Sequence, residues 1–173
     1  MAYGLNEFCS DLHEALKEKG ADAVPGIAEN LKRLLANKDF VAETFNDDTP
    51  AGKRLLYHDA DSDAYVLAHV HQPGKRGKPH SHGESWAIYG CAKGYTLMTE
   101  WERDNPESED RTVLRQKSHY KLNTGEAKAY SHGAIHSTQH PEKAWVIRLT
   151  GTKLNDIPRY HFDPAKDLIL EDA

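Results

Sequence analysis

Two periodicities divide the chain. Up to about residue 40, apolar residues recur every three or four positions. Phe8, Leu12 and Leu16 mark one stretch, and Ile27, Leu31, Leu34 and Leu35 mark the next. That spacing gathers them on one face of a helix and predicts helices over 6–19 and 25–35. Gly20 supplies a stop after the first. Pro25 stands near the start of the second, where a missing N–H costs nothing. Both helices are expected to pack on another layer as a structural cap.

From about Arg54 the texture changes to short apolar, β-branched and aromatic runs. These predict strands over 55–57, 65–71, 85–89, 95–101, 112–122, 127–130 and 144–150. Turn residues separate them, among them Pro73-Gly74, Asn105-Pro106 and Asn123-Thr124-Gly125. Many short strands at regular spacing predict a closed, all-β architecture. The charged stretch 102–111 is expected to be a solvated hairpin tip. With no repeat, low-complexity tract or linker, one domain is expected over 1–173. Its parts are a helical cap over 1–40 and a β-barrel over 53–165.

The 173 residues are enough for one sizeable core, and 28% charged with 38% hydrophobic is a globular composition. The formal net charge of −5 argues against a general nucleic-acid binder, which needs a basic face. No apolar run approaches the roughly 20 residues of a membrane helix. The opening residues lack the basic start and apolar stretch of a signal peptide. Two cysteines, Cys9 and Cys91, make no disulfide framework. The expected location is the cytoplasm, with neither a nucleic acid nor a membrane as partner.

Histidine changes the picture. There are eleven, and all but His13 and His58 lie from His69 onward. Imidazole is the commonest metal ligand. Pro79-His80-Ser81-His82 would place two imidazoles on one side of an extended chain. A second stretch, Gly125 to His140, carries His132, His136 and His140.

Together these stretches resemble the paired motifs of the cupin superfamily. Gly74, five residues, His80-x-His82 and the closing Gly94 follow the first motif, with Ala87 at its Glu position. Gly125, Gly133 and His136 follow the second, with Ser131 at its Pro and His140 at its Asn. The resemblance implies a cupin barrel, a double-stranded β-helix or jelly roll, holding one metal on His80, His82 and His136. It also carries the expectation of a homodimer. Three neutral histidines without the usual Glu would leave more positive charge and more open positions on the ion. Glu84, the nearest acid, is expected at the surface or behind the ligands. Iron, nickel, manganese and zinc all accept imidazole.

Cupins with three histidines and no Glu include the thiol dioxygenases, cysteine dioxygenase and 3-mercaptopropionate dioxygenase. The resemblance extends to Lys53-Arg54-Leu55-Leu56-Tyr57, which looks like the family segment ending in a carboxylate-binding Arg. It also extends to Ser85–Gly90 after His82, and to Thr150-Gly151 with His161-Phe162-Asp163-Pro164. It implies a non-haem iron(II) dioxygenase that takes dioxygen and a small carboxylate substrate. The family's Ser-His-Tyr relay is absent, because Val146-Ile147-Arg148-Leu149-Thr150 stands in its place. Its Cys–Tyr crosslink positions are Ala87 and Thr150, which cannot form a thioether.

Strand parity puts Val146, Arg148 and Thr150 on the interior face. A buried Arg needs an anion, either a protein carboxylate or a substrate carboxylate held by both guanidinium nitrogens. Arg148 and Arg54 are the candidate anchors, with Lys53 as the alternative to Arg54. By the resemblance His69 and His71 line the pocket beside the metal. His71 is then a candidate acid or base and His69 a substrate contact, unless both are hydrogen-bonded barrel histidines. Tyr89 either offers its hydroxyl to substrate or packs the core. Two other function classes stay open. One is a lyase, isomerase or C–C-cleaving dioxygenase on an oxygen-ligating acid. The other is a metal-binding sensor without catalysis.

Overall fold

The computed structural model describes residues 3–163 and 168–171. Three helices come first: α1 (Leu5–Lys19), α2 (Val24–Leu35) and α3 (Lys38–Thr44), with a 3₁₀ turn at Gly20–Ala23 between α1 and α2. The strands are β1 (Gly52–Asp59), β2 (Ala64–His71), β3 (Lys75–Arg76), β4 (Ala87–Lys93), β5 (Tyr95–Arg103) and β6 (Leu114–Asn123). They continue with β7 (Ala127–Tyr130), β8 (Ile135–His140), β9 (Ala144–Thr150), β10 (Tyr160–Asp163) and β11 (Leu168–Glu171).

All pairings are antiparallel. One sheet runs β1-β2-β9-β4-β7, a second β3-β8-β5-β6, and β10-β11 form a ribbon. This is the cupin, double-stranded β-helix architecture with an N-terminal helical cap. Pro164, within the C-terminal segment of the family resemblance, lies outside the described residues.

Register decides which side chains face inward. One row across the large sheet is Arg54, Ala68, Ile147, Gly90 and Ala127. Ala68 and Ile147 of that row, with Val66, Ile88 and Leu149, are buried in one core with Phe8, Leu12, Ile27, Leu31, Leu34 and Leu35 of the helices. The opposite rows are Lys53, His69, Val146, Cys91 and then Leu55, Leu67, Arg148, Tyr89. They look into the barrel. There Ala87, Tyr89, Cys91 and Val146 pack with Met98, Leu122 and Tyr130 as a second core. Burying each large apolar side chain contributes about 1.5–3 kcal/mol, so the helices are part of the barrel's stability rather than an ornament.

Sequence periodicity missed helix α3 and strands β3, β8, β10 and β11. Helix α3 has only seven residues and is set by its cap, the Asn37 side chain accepting from the Asp39 and Phe40 amides at 3.0 and 3.2 Å. Strand β8 reads Ile-His-Ser-Thr-Gln-His and carries no apolar alternation to betray it. The His80–His82 segment is a loop, not a strand. Only His80 forms isolated bridges, to His136 and His161.

Gly90 lets α2 close on the sheet. A Cβ there would lie 2.6 Å from Leu31 Cδ2 and 2.9 Å from Leu35 Cδ1, both in the core. Gly90→Ala should therefore cost about 1–3 kcal/mol through overpacking. The denaturant midpoint should fall with an unchanged slope.

The cap is also tied on by His13, whose Nδ1 lies 2.8 Å from Asp59 Oδ1. That hydrogen bond raises the His13 pKa above its ordinary 6.5. Burial pulls the Asp59 carboxyl upward, but hydrogen bonds from Ser62, His13 and Tyr57 outweigh it and hold it low. A raised folded-state value contributes stability that is complete below about pH 6.5 and is lost as pH rises through that value. Between about pH 6 and 8.5 the melting temperature of the protein should fall relative to that of His13→Gln. Parallel curves would show that the pair contributes nothing.

Candidate metal centre

The centre is built where the second sheet meets the loop before β4. The His80 amide donates to the His136 carbonyl at 2.9 Å, and the His136 amide donates to the His80 carbonyl at 3.0 Å. This reciprocal pair places the first and third histidines side by side. The loop is braced from the C-terminal segment as well. The Ser81 amide donates to the Tyr160 carbonyl at 2.9 Å and the Phe162 amide to the Pro79 carbonyl at 2.8 Å. Gly83 follows His82 at φ 56°, and a Cβ there would sit 2.3 Å from the Pro158 carbonyl oxygen. Only glycine fits that turn.

The result is one compact group. His80, His82 and His136 each offer a ring nitrogen within 4.8 Å of the others. His82 is 3% and His136 1% exposed. His80 Nδ1 donates to the Lys78 carbonyl at 3.0 Å, which leaves the Nε2 lone pair free. Nδ1 of His82 and both ring nitrogens of His136 are buried without a hydrogen-bond partner. Such orphaned polar atoms are costly unless something else satisfies them. A divalent ion would satisfy one nitrogen of each ring, and three neutral imidazoles are a donor set that fits one.

The electrostatics agree. Burial pushes His80 down to about 4, against the opposing bond to the Lys78 carbonyl. Burial also drives His82 and His136 well below their ordinary value, helped by neighbouring histidines and Arg148. Lone pairs are therefore available at neutral pH. Among the described residues no carboxylate belongs to the group, and Glu84 is exposed outside it.

The other sequence candidates divide. Arg148 faces inward, and its charge acts on His69, His71 and all three grouped histidines. Its Nε is buried without a partner, and among the described residues no carboxylate pairs with it. Tyr89 is buried, with its hydroxyl 3.4 Å from His82 Nε2 and its ring 5.3 Å from that of His136. Burial raises its pKa, and Arg148 partly offsets this.

Arg54, in contrast, is on the helix-side row and donates to the Thr44 carbonyl at 2.9 Å. The expectation of a substrate anchor there is corrected. Parity along β1 puts Lys53, not Arg54, on the interior face. His71 is also displaced from the expected site. Its ring stacks on His140 at 3.9 Å, and His140 is four residues along β8 from His136, about 13 Å at strand rise. His69 stands between, 9% exposed, with its ring 5.5 Å from that of His71. Burial, then Arg148, lowers His69 to about 2, and burial, then His140, lowers His71 to about 3.

Ala87 and Thr150 are direct register partners, as the family's crosslinked pair would be, and neither has the chemistry for it. The Thr150 hydroxyl donates to the Thr152 carbonyl at 2.8 Å. Cys91 is an interior thiol raised to about 11 by burial.

Sequence reading did not single out a tyrosine network beside the centre. The Tyr120 hydroxyl donates to Glu100 Oε1 at 2.9 Å and also contacts the Tyr130 hydroxyl. The Tyr130 ring lies 4.6 Å from that of His136. A carboxylate only accepts, so Tyr120 spends its proton on Glu100, and Tyr130 must donate to Tyr120. The Glu100–His136 register pair is the signal that joins them. The His161 ring stacks 5.5 Å from that of His80.

No protein-family model matches the chain, and no curated relative matches it. Solved structures resemble its trace at low identity. KdgF from Halomonas sp. is 14% identical, with 65% of this chain and 91% of that chain covered, at a TM-score of 0.44. A conserved protein with a double-stranded β-helix domain from Klebsiella pneumoniae is 15% identical, covering 64% and 84%, at 0.41. The Cupin_2 domain of an XRE family transcriptional regulator from Enterobacter cloacae is 10% identical, covering 57% and 93%, at 0.41.

Metal binding should be measurable without any substrate. Addition of about one equivalent of a divalent ion should raise the melting temperature, and a chelator should reverse it. His136→Leu should abolish that rise. The metal-free variant should melt no earlier than the metal-free parent, because the leucine removes two orphaned nitrogens. A retained metal response in His136→Leu would dismiss the site.

Proposed function

We propose that the protein is a metal-dependent cupin dioxygenase, using iron(II) on His80, His82 and His136 to oxidise a small carboxylate-bearing substrate. The observation that carries this reading is the pairing of a carboxylate-free histidine triad with an interior arginine that has no counter-ion among the described residues. Three neutral ligands leave the ion's full double charge for an anionic substrate and dioxygen. When bound, the ion would supply Lewis acidity and one-electron chemistry.

The protein's own residues would do the rest. Arg148 holds the substrate carboxylate through paired N–H donors. Tyr89 offers its hydroxyl beside the reacting group, protonated at neutral pH because burial raises its pKa. Tyr130 presents an oxygen lone pair, its proton being committed to Tyr120. A thiol acid is the substrate class to test first. One molecule of dioxygen would then be consumed per thiol, and both oxygen atoms would end on sulfur as the sulfinic acid.

A second reading is a lyase or isomerase acting by proton transfer on an oxygen-ligating acid. The Tyr89 hydroxyl at the centre favours it, as a general acid or base with no redox partner.

An oxygen electrode separates the two. Protein purified anaerobically and loaded with iron(II) should draw about one equivalent of dioxygen per small thiol acid. Substrate turnover without oxygen uptake would overturn the dioxygenase and leave the proton-transfer enzyme. In either case Arg148→Met should raise KM for the acid by about tenfold or more, as loss of a charge-assisted contact requires. An unchanged KM and kcat would remove Arg148 from substrate binding.

A further inference from the structure

A second basic group lies at the open rim of the interior face, beyond the three histidines. Lys53, His69, His71 and Lys75 line one cavity of about 280 Å³. Lys53 also borders an adjoining cleft of about 170 Å³ that contains Arg148, Tyr65 and Leu67. The two spaces therefore meet at Lys53, between the Arg148 cleft and the barrel end at β3.

Among the described residues no carboxylate lines either space. The charges acting on His69 are those of Arg148, His71, Lys53 and Lys75. Those acting on His71 are His140, Lys75 and Arg148. A chain of net charge −5 has thus kept carboxylates away from one interior wall. His69 is 9% exposed, and its Nε2 is buried without a hydrogen-bond partner. A buried polar atom of that kind requires a partner, and the surrounding charge specifies an anion.

We propose that this cavity is an oxyanion subsite, in which Lys53, Lys75 and a ring N–H of His69 hold a carboxylate- or phosphate-type group. The two lysines supply the charge and His69 the directed donor. Its occupant is the second acidic group of the substrate bound at Arg148, which makes that substrate a small dianionic acid. This last assignment rests on the function proposed above; the oxyanion site does not.

The test is calorimetric titration at low salt, where exposed charges are least screened. The probes are inorganic phosphate, succinate and propionate, titrated into the parent and into Lys53→Gln/Lys75→Gln. Both lysines are exposed, so the variant should keep the parent's melting temperature. His69→Phe serves as the second variant, keeping ring volume and removing the donor.

Phosphate should bind the parent, and both variants should bind it about tenfold more weakly or worse. Succinate should compete with phosphate, and propionate should not. No phosphate binding to the parent, or binding within twofold of the parent in both variants, would overturn the oxyanion site. Phosphate binding that succinate leaves undisturbed would support the site and overturn the substrate assignment, making a free anion the occupant. None of these readouts needs oxygen uptake, so failure of the dioxygenase reading would leave them standing.

Discussion

Three uncharged imidazoles, two buried and one half-buried, with ring nitrogens within 4.8 Å of each other and no carboxylate among them, are the constraint on which the rest of the site turns. Burial keeps protons off the ring nitrogens and leaves three of them without partners. The backbone makes this arrangement tolerable. The His80–His136 amide pair, the Gly83 turn against Pro158 and the β10 contacts to Pro79 and Ser81 hold the ligand loop from both sides. The barrel's two sheets and its C-terminal ribbon thus converge on a few ångströms of loop.

Charge on the interior wall follows a consistent logic. Ionised carboxylates are kept to the rim and the helix side, as with Asp59 at the cap, while Arg148, His69 and Lys53 occupy one inward face. Glu100 is the interior exception, and it is engaged by Tyr120 and by Lys128 at 3.5 Å. The space between therefore has a positive wall and a tyrosine wall with one oriented acceptor. Such a space suits a small acid with a polar reacting group. That physical match supports the proposed function more than any likeness of fold, since one fold hosts many chemistries.

The interior of the barrel beside the three histidines is lined by hydroxyls from several strands. Ala87 and Thr150 still face each other across β4 and β9, where the family's crosslink would be. Tyr89, two residues along the same face, approaches His82 instead, with Tyr130 and Tyr120 beyond it.

The chain's linear pattern was enough for the cap helices and for most strands, because periodicity is a local property, while the motif resemblance pointed to the three histidines that the fold brings together. Strands β7 and β9 appear with the predicted bounds, since their apolar runs end at clear turns. Strand β8 and helix α3 escaped, because one is polar throughout and the other depends on a side-chain cap. Parity alone placed Arg148 and Tyr89 correctly on the interior. It could not choose between Lys53 and Arg54, which differ by one residue and hence by a whole face. Only the pairing of β1 with β2, and the helices packed behind them, decided that Lys53 looks inward and Arg54 outward. Distance was likewise tertiary: His71 shares a face with His69 yet lies against His140, because strand rise carries it away from the triad. Sequence carries direction along a strand; what a side chain meets there depends on the neighbouring strand and its register.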